Sequence, residues 1–329
     1  MGRIVECVPN FSEGRDARKI DRIAAAIESA AGVRMLSVEP DADYNRTVVT
    51  FVGDPDAVVE GAFRGIAKAA EVIDMTSHTG NHPRIGATDV CPFVPVSGVT
   101  MDDCVSMAMM LGKRVWDKVG IPVYLYERAA RSPERRNLAD VRRGEYEGLC
   151  EKLADPRWRP DFGLPEYNAR SGVTIIGARP FLVAYNVNLA TPNLDAASEI
   201  ARRVRESGYL KDGVRVPGRL KAVKALGVML GEKNIAQVSM NLVDFKVTPP
   251  HAAFDECVRE AGALGERVNG SEVVGLLPLE PLLEAGRHAL GAAAAGKPQG
   301  DLIDAAIGYL GLSTLAPFIP GKKVLELML

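Results

Sequence analysis

Long apolar runs are missing from this 329-residue sequence. None approaches the ~20 residues that a membrane-spanning helix needs. Cysteine is scarce and scattered: the five residues Cys7, Cys91, Cys104, Cys150 and Cys257 never form a CxxC pair. That odd number argues against a disulfide framework and against a zinc ribbon, and reads as reduced, mostly buried thiols. An excess of charge is also missing, since 40 Lys and Arg face 42 Asp and Glu, for a net charge of −2. Bulk electrostatic attraction to nucleic acid or anionic membrane is therefore disfavoured. The opening Met1–Glu6 stretch lacks the basic-then-apolar layout of a signal peptide, and Glu6 stands where a myristoylation motif needs Ser or Thr. A cytoplasmic protein is expected. No GxxxxGK[ST], GxGxxG or GxSxG motif occurs, so nucleotide-cofactor enzymes and nucleophile-elbow hydrolases lose ground.

What is present is an α/β pattern. Residues 3–8 read as a strand. Ile20, Ile23, Ile27 and Ala31 mark one helix face, and 33–39 and 46–53 read as two further strands. Asp54-Pro55 opens a helix carrying Val58, Ala62, Ile66, Ala69 and Ile73 on one side. Thr100 and Asp103 have capping-box spacing before a helix to about Val119, and 121–126 reads as a strand. Between Tyr146 and Gly177 the periodicity fades, in a stretch with three prolines at 156, 160 and 165. A linker or an ordered functional loop is expected there, with domains 1–178 and 179–329.

The second half predicts strand 181–189, helix 193–207, strands 221–230 and 235–245, helix 251–264 and strand 272–277, then helices at 280–294 and 301–312. This βαββαβ order builds a ferredoxin-like sheet with its helices on one face. The first half begins with the same succession, so two similar subdomains are expected. On two strands the face opposite the apolar one is rich in uncharged amides: Asn186 and Asn188, and Gln237, Ser239 and Asn241. Carboxamides both donate and accept, which suits the edge of a heterocycle or amide. A ligand-lining or interdomain face competes here with a plain solvated strand side.

Of the four histidines, His251 and His288 read as surface residues of amphipathic helices, whereas His78 and His82 lie in the polar segment 76–89, punctuated by Gly80, Pro83 and Gly86. Their i, i+4 spacing tempts a zinc reading, but Gly80 and Pro83 break the helix it would need and no HExxH acid is present, so no metal is expected. Two readings remain open, a polar turn and a single acid–base histidine with Arg84 and Asp89 nearby. The run of arginines from Arg128 to Arg143 is interleaved with acids and reads as a solvated helix face, with a dock for an anionic ligand as the alternative.

Three blocks, Val5–Gly14 (VECVPNFSEG), Asn45–Val48 (NRTV) and His82–Phe93 (HPRIGATDVCPF), resemble the glutamate formiminotransferase family. So do Pro122–Tyr126, Arg142–Glu147, Pro160–Gly163 and Gln237–Leu242, so the likeness runs along essentially the whole chain. The resemblance implies transfer of a formimino group from N-formiminoglutamate to N5 of tetrahydrofolate, in histidine breakdown. Tetrahydrofolate would be a co-substrate, in a homodimer of two α/β subdomains with helices on the outer faces and folate in a cleft between their sheets.

By the HPRxGA block, the family's catalytic histidine falls on His82. The folate-binding stretch falls on Gly163, Leu164, Pro165, Glu166, Tyr167, Asn168, Ala169, Arg170, Ser171 and Gly172. Animal members carry aspartate where this chain has Glu39, so Glu39, or Asp41 or Asp43 beside it, is expected to assist His82. Asn10, Asn45, Arg46, Arg84, Gln237 and Asn241 are expected to bind substrate, with Arg46 and Arg84 pairing with carboxylates. Animal members also carry a cyclodeaminase domain, whereas the resemblance here is to the single-function form, so a separate enzyme would perform the next step. Formyl or formimino transfer from N-formylglutamate or formiminoglycine, or folate binding without chemistry, are the rival expectations.

Overall fold

A computed structural model of the protein describes residues 2–328, leaving Met1 and Leu329 outside it. The chain divides into two compact units, Met1–Pro180 and Phe181–Leu329.

In the first unit, β1 (Ile4–Cys7) and β2 (Asn10–Phe11) are successive parts of one strand interrupted at Pro9. They are followed by α1 (Ala17–Glu28), β3 (Arg34–Asp41), β4 (Arg46–Gly53), α2 (Pro55–Val72) and β5 (Thr88–Ser97). The register runs β3, β4, β1 with β2, then β5, all antiparallel, which is the strand order of a ferredoxin-like sheet. An extension follows: α3 (Met101–Val119), β6 (Val123–Glu127), the short helices α4 (Leu138–Arg142) and α5 (Leu149–Ala154), and β7 (Thr174–Ala178). Here β7 lies parallel between β5 and β6.

Local chemistry sets the helix starts. Asp16 and Asp54 accept backbone N–H groups at the heads of α1 and α2, and Thr100 with Asp103 closes the capping box of α3. Ile20, Ile23 and Ile27 turn into the core with Phe11, Phe51 and Ile66, while Ala30 rather than Ala31 is buried after α1. The segment 88–97 carries Pro92 and Pro95, which conceal a strand from pattern reading. Pro92 loses only a donor; its carbonyl still accepts from Val8 N–H.

The second unit runs β8 (Val183–Leu189), α6 (Leu194–Val204), a small hairpin of β9 (Tyr209–Lys211) and β10 (Val214–Val216), β11 (Val223–Leu230), β12 (Ile235–Leu242), α7 (Pro250–Ala263) and β13 (Val268–Val274). The chain continues through α8 (Leu279–Leu290), α9 (Gln299–Leu310), α10 (Pro320–Lys323) and α11 (Leu325–Met328). Its sheet has the order β11, β12, β8, β13, again ferredoxin-like and antiparallel throughout. Val183, Tyr185, Val187 and Leu189 of β8 join Val238, Met240 and Leu242 of β12 in a core with Ala197 and Ile200 of α6 and Cys257 of α7. The β9–β10 hairpin escaped sequence reading because each strand has only three residues, too few to show alternation.

The arginine run is not one solvated helix face. Arg135 is buried, with Nη1 on Asp161 at 2.6 Å and Nη2 on the Arg159 carbonyl at 2.6 Å. Arg142 pairs with the buried Asp89. Periodicity counted only the acids nearby in sequence, whereas both partners lie far along the chain.

Candidate functional site

His82 stands in the loop between α2 and β5, and two neighbouring loops are packed against that segment. Gly80 lies so close to the β3–β4 turn that a Cβ on it would fall 2.3 Å from the Tyr44 carbonyl oxygen. At the other end, Gly86 and Gly172 meet back to back in an antiparallel bridge, where a Cβ on Gly172 would approach the Ile85 oxygen to 2.2 Å. Only residues without a side chain allow backbones this near. Ala87 N–H donates to the Ser171 carbonyl at 2.9 Å, and Met75 N–H donates to the Arg170 carbonyl at 2.9 Å.

The His82 ring is half-buried. Its Nε2 takes a hydrogen bond from Arg46 Nη1, and the Tyr44 ring lies with its centroid 5.7 Å away. A guanidinium can only donate, so Nε2 is unprotonated and the imidazole neutral, with its proton on Nδ1. That Nδ1 is buried and has no partner among the described residues. Burial, then the charges of Arg46 and Arg142, push the His82 pKa down to about 4, against a smaller upward pull from Asp89.

This depression has a consequence for stability. In the unfolded chain a histidine titrates near 6.5, so between roughly that pH and 4 the unfolded state binds a proton that the folded state refuses. The contribution from His82 is therefore complete above about pH 6.5 and is lost as the pH falls towards 4. Urea midpoints measured at about pH 7.5 and 5 are expected to fall further for wild type than for His82→Ala. Equal falls would show that the ring is not held neutral.

The other predicted residues separate into committed and uncommitted groups. Arg84 is fully engaged: Nη1 and Nη2 clasp Glu147 at 2.7 and 2.6 Å, Nη1 reaches Glu145 at 3.2 Å, Nη2 the His78 carbonyl at 3.3 Å, and Nε the His78 Nδ1 at 3.2 Å. His78 in turn donates from Nε2 to the Asn45 carbonyl at 2.9 Å, which fixes its tautomer and makes it a brace. Asn45, at φ +48°, accepts from Gly14 N–H and donates to the Thr79 carbonyl, both at 2.9 Å. Asn10 donates to the Val8 carbonyl at 2.9 Å. Arg84, His78 and Asn45 hold the loops together, whereas the Asn10 bond stays within its own stretch of chain.

Arg46 differs from them. Its guanidinium touches His82 and makes no ion pair with any carboxylate among the described residues. Glu39 is exposed on β3, opposite Val48 in register, and its carboxylate has no hydrogen bond or ion pair among the described residues. Asp41 caps the turn by accepting from Tyr44 N–H at 2.8 Å. The carboxylate whose charge acts on His82 is Asp89, buried and paired with Arg142; sequence reading had placed it nearby without the pairing.

The stretch 163–172 has two parts. Residues 168–172 are anchored: Asn168 Oδ1 accepts from Ser171 N–H at 3.0 Å, and Arg170 donates to the Glu71 carbonyl at 2.8 Å. Leu164, Pro165, Glu166 and Tyr167 are exposed, and Gly163 turns at φ +104° against Trp116. In the second unit Gln237 is buried among other amides, whereas Asn241 is exposed.

His251 and His288, read as plain surface residues, stack with ring centroids 4.7 Å apart, and His288 reaches Asp255 at 2.9 Å. Among the described residues no group of three or more His, Cys, Asp or Glu is arranged to hold a metal ion. No helix there is long and apolar enough to cross a membrane.

Two ferredoxin-like units, the first carrying a neutral histidine beside the guanidiniums of Arg46 and Arg142, define a protein of the α/β class. Family models of the formiminotransferase domain, N-terminal subdomain, and of the formiminotransferase domain match residues 4–179 and 184–329, and the chain belongs to the formiminotransferase family. It is 46% identical to a glutamate formimidoyltransferase of Streptococcus pyogenes serotype M1, over 88% of this chain and 94% of that one. A glutamate formimidoyltransferase of Thermoplasma acidophilum is likewise 46% identical, over 87% and 92%. The formimidoyltransferase-cyclodeaminase of Dictyostelium discoideum is 46% identical over 100% of this chain, which spans 60% of that longer relative.

Proposed function

We propose that the chain transfers the formimino group of N-formimino-L-glutamate to N5 of tetrahydrofolate, giving 5-formiminotetrahydrofolate and L-glutamate, as a step of histidine degradation. The observation that carries this reading is the Arg46–His82 contact: a guanidinium without a carboxylate partner, resting on the lone pair of a neutral imidazole. The names of the single-function relatives support the same donor and reaction.

In this reading the two side chains have linked parts. A donor carboxylate docking on Arg46 draws that guanidinium off Nε2 and offsets the positive charge that depresses the ring. His82 then becomes a better base as the donor arrives. His82 takes the proton released at N5 as the new N–C bond forms. It returns that proton to the glutamate nitrogen as the old C–N bond breaks. A group that is neutral before the first step and a moderate acid after it can serve both. The remaining acceleration comes from holding two substrates together. Glu39, exposed and uncommitted on β3, is kept as the carboxylate for the cationic amidine. With this reading go a cytoplasmic location and a homodimer, as the family resemblance implies.

The test is release of glutamate or glycine from each of three donors in the presence of tetrahydrofolate. Turnover is expected with N-formiminoglutamate. Turnover only with formiminoglycine or N-formylglutamate would move the donor assignment, and tight folate binding without turnover of any donor would leave a binding module.

A further inference from the structure

The turn between β3 and β4 holds an aromatic ring beside His82 that the proton transfer does not use. Each residue of that turn is tied down. The Ala42 carbonyl accepts from Arg15 Nε at 2.9 Å, and the Asp43 carbonyl from Asn81 N–H at 3.4 Å. Tyr44 N–H donates to Asp41 Oδ1 at 2.8 Å, its carbonyl oxygen packs on Gly80, and the Asn45 carbonyl accepts from His78 Nε2 at 2.9 Å. The backbone is thus fixed both from the head of α1 and from the His82 loop, and it presents the Tyr44 side chain outwards. The residue is 49% exposed, and its hydroxyl bonds nothing among the described residues. Its ring neighbour is His82, with 57° between the two planes. No Lys or Arg of the described residues lies over the Tyr44 ring, in contrast to Tyr146, which carries Arg84 at 6.0 Å.

A large ring half in water gains little by burial, but on a braced turn it is in place before any ligand arrives. What it offers there is a π-face, whose negative quadrupole attracts a cation. A protonated formimino group is such a cation, planar and delocalised like a guanidinium, whereas a formyl group is neutral. Beside Nε2 of His82 that cation meets the like charge of Arg46, so it needs partners that these two side chains do not supply. Glu39 supplies a charge from β3, and Tyr44 supplies a surface matched in shape. We propose that Tyr44 is a specificity-determining residue for the donor: its ring face receives the protonated formimino group and so favours that group over a neutral formyl group. This assignment rests on the donor reading proposed above.

The experiment compares the full chain as wild type, Tyr44→Leu and Tyr44→Phe. It reads kcat and KM for N-formiminoglutamate, KM for tetrahydrofolate, and the inhibition constant of N-formylglutamate, a neutral isostere with the same two carboxylates. Tyr44→Leu is expected to raise the donor KM about threefold to thirtyfold, the size of a lost cation–π contact, and to leave the other two constants within about twofold. Tyr44→Phe, which keeps the ring and drops the hydroxyl, is expected to restore the donor KM. An unchanged donor KM in Tyr44→Leu overturns the assignment. So does a parallel rise in the inhibition constant, which marks a ring that merely covers the site, or an equal loss in Tyr44→Phe, which shifts the effect to the hydroxyl. A fall confined to kcat places the ring's effect on the imidazolium of His82 and overturns the assignment as well. Wild type that turns over no formimino donor overturns the donor reading and this inference with it, whereas a working wild type matched by Tyr44→Leu overturns this inference alone.

Discussion

A His82→Ala protein is expected to fold and to bind tetrahydrofolate while its formimino transfer falls by about 10²–10⁴-fold, the usual contribution of a positioned acid–base group. The side chain is half-buried and bonds to Arg46, so removing it opens no large cavity and strands no carboxylate. The depressed pKa locates the loss on the pH axis. With His82 neutral in the free protein down to about 4, the acid limb of kcat/KM in wild type should lie well below the ordinary histidine range. The residual rate of the variant should lack that limb. Full turnover by a folded His82→Ala protein would remove the histidine from the mechanism. Lost turnover with an unchanged limb would assign the limb to another group.

Asp89→Asn should cost both stability and activity. The carboxylate is 1% exposed, accepts from Ile85 N–H at 3.1 Å, and pairs with Arg142. Neutralising it leaves Arg142 without its counter-charge, with Arg46 close by. Breaking a buried pair on one side costs about 3–5 kcal/mol. Arg142 retains some solvent contact, which places the expected loss towards the lower end. The urea midpoint should drop with an unchanged slope. Since Asp89 also supports the proton on His82, its loss should carry the acid limb of kcat/KM still lower. An unchanged midpoint would show that Arg142 finds another partner.

Much of the architecture was legible where side chains alternate cleanly. The apolar faces of 181–189 and 235–245 marked β8 and β12, and the isoleucine spacing marked α1. The fourth strand of the first sheet was hidden by Pro92 and Pro95, because pattern reading treats proline as punctuation, although a strand can give up one donor. Within the site, His82 could be found because its loop combines titratable groups with backbone constraints. The division of labour around it could not. Nothing local distinguishes the saturated Arg84 from the unpaired Arg46, since the difference lies in Glu145 and Glu147, far along the chain. The same distance concealed Arg135 with Asp161 and Arg142 with Asp89. Sequence reading sees charges, whereas partners are made by the fold.

The Gly86–Gly172 bridge also bears on the order of assembly. It joins two loops separated by β5, α3, β6 and the helices that follow. Closing a loop of that length is paid in chain entropy before any contact rewards it, so such a junction belongs to the late part of folding. A chain emerging from the ribosome would complete its first four strands with the His82 loop still unanchored on that side. The loop would be pinned only once residue 172 had arrived. The nascent protein would thus carry His82 for some time without the neighbouring wall, and the surroundings of that ring would be completed in the step that finishes the domain.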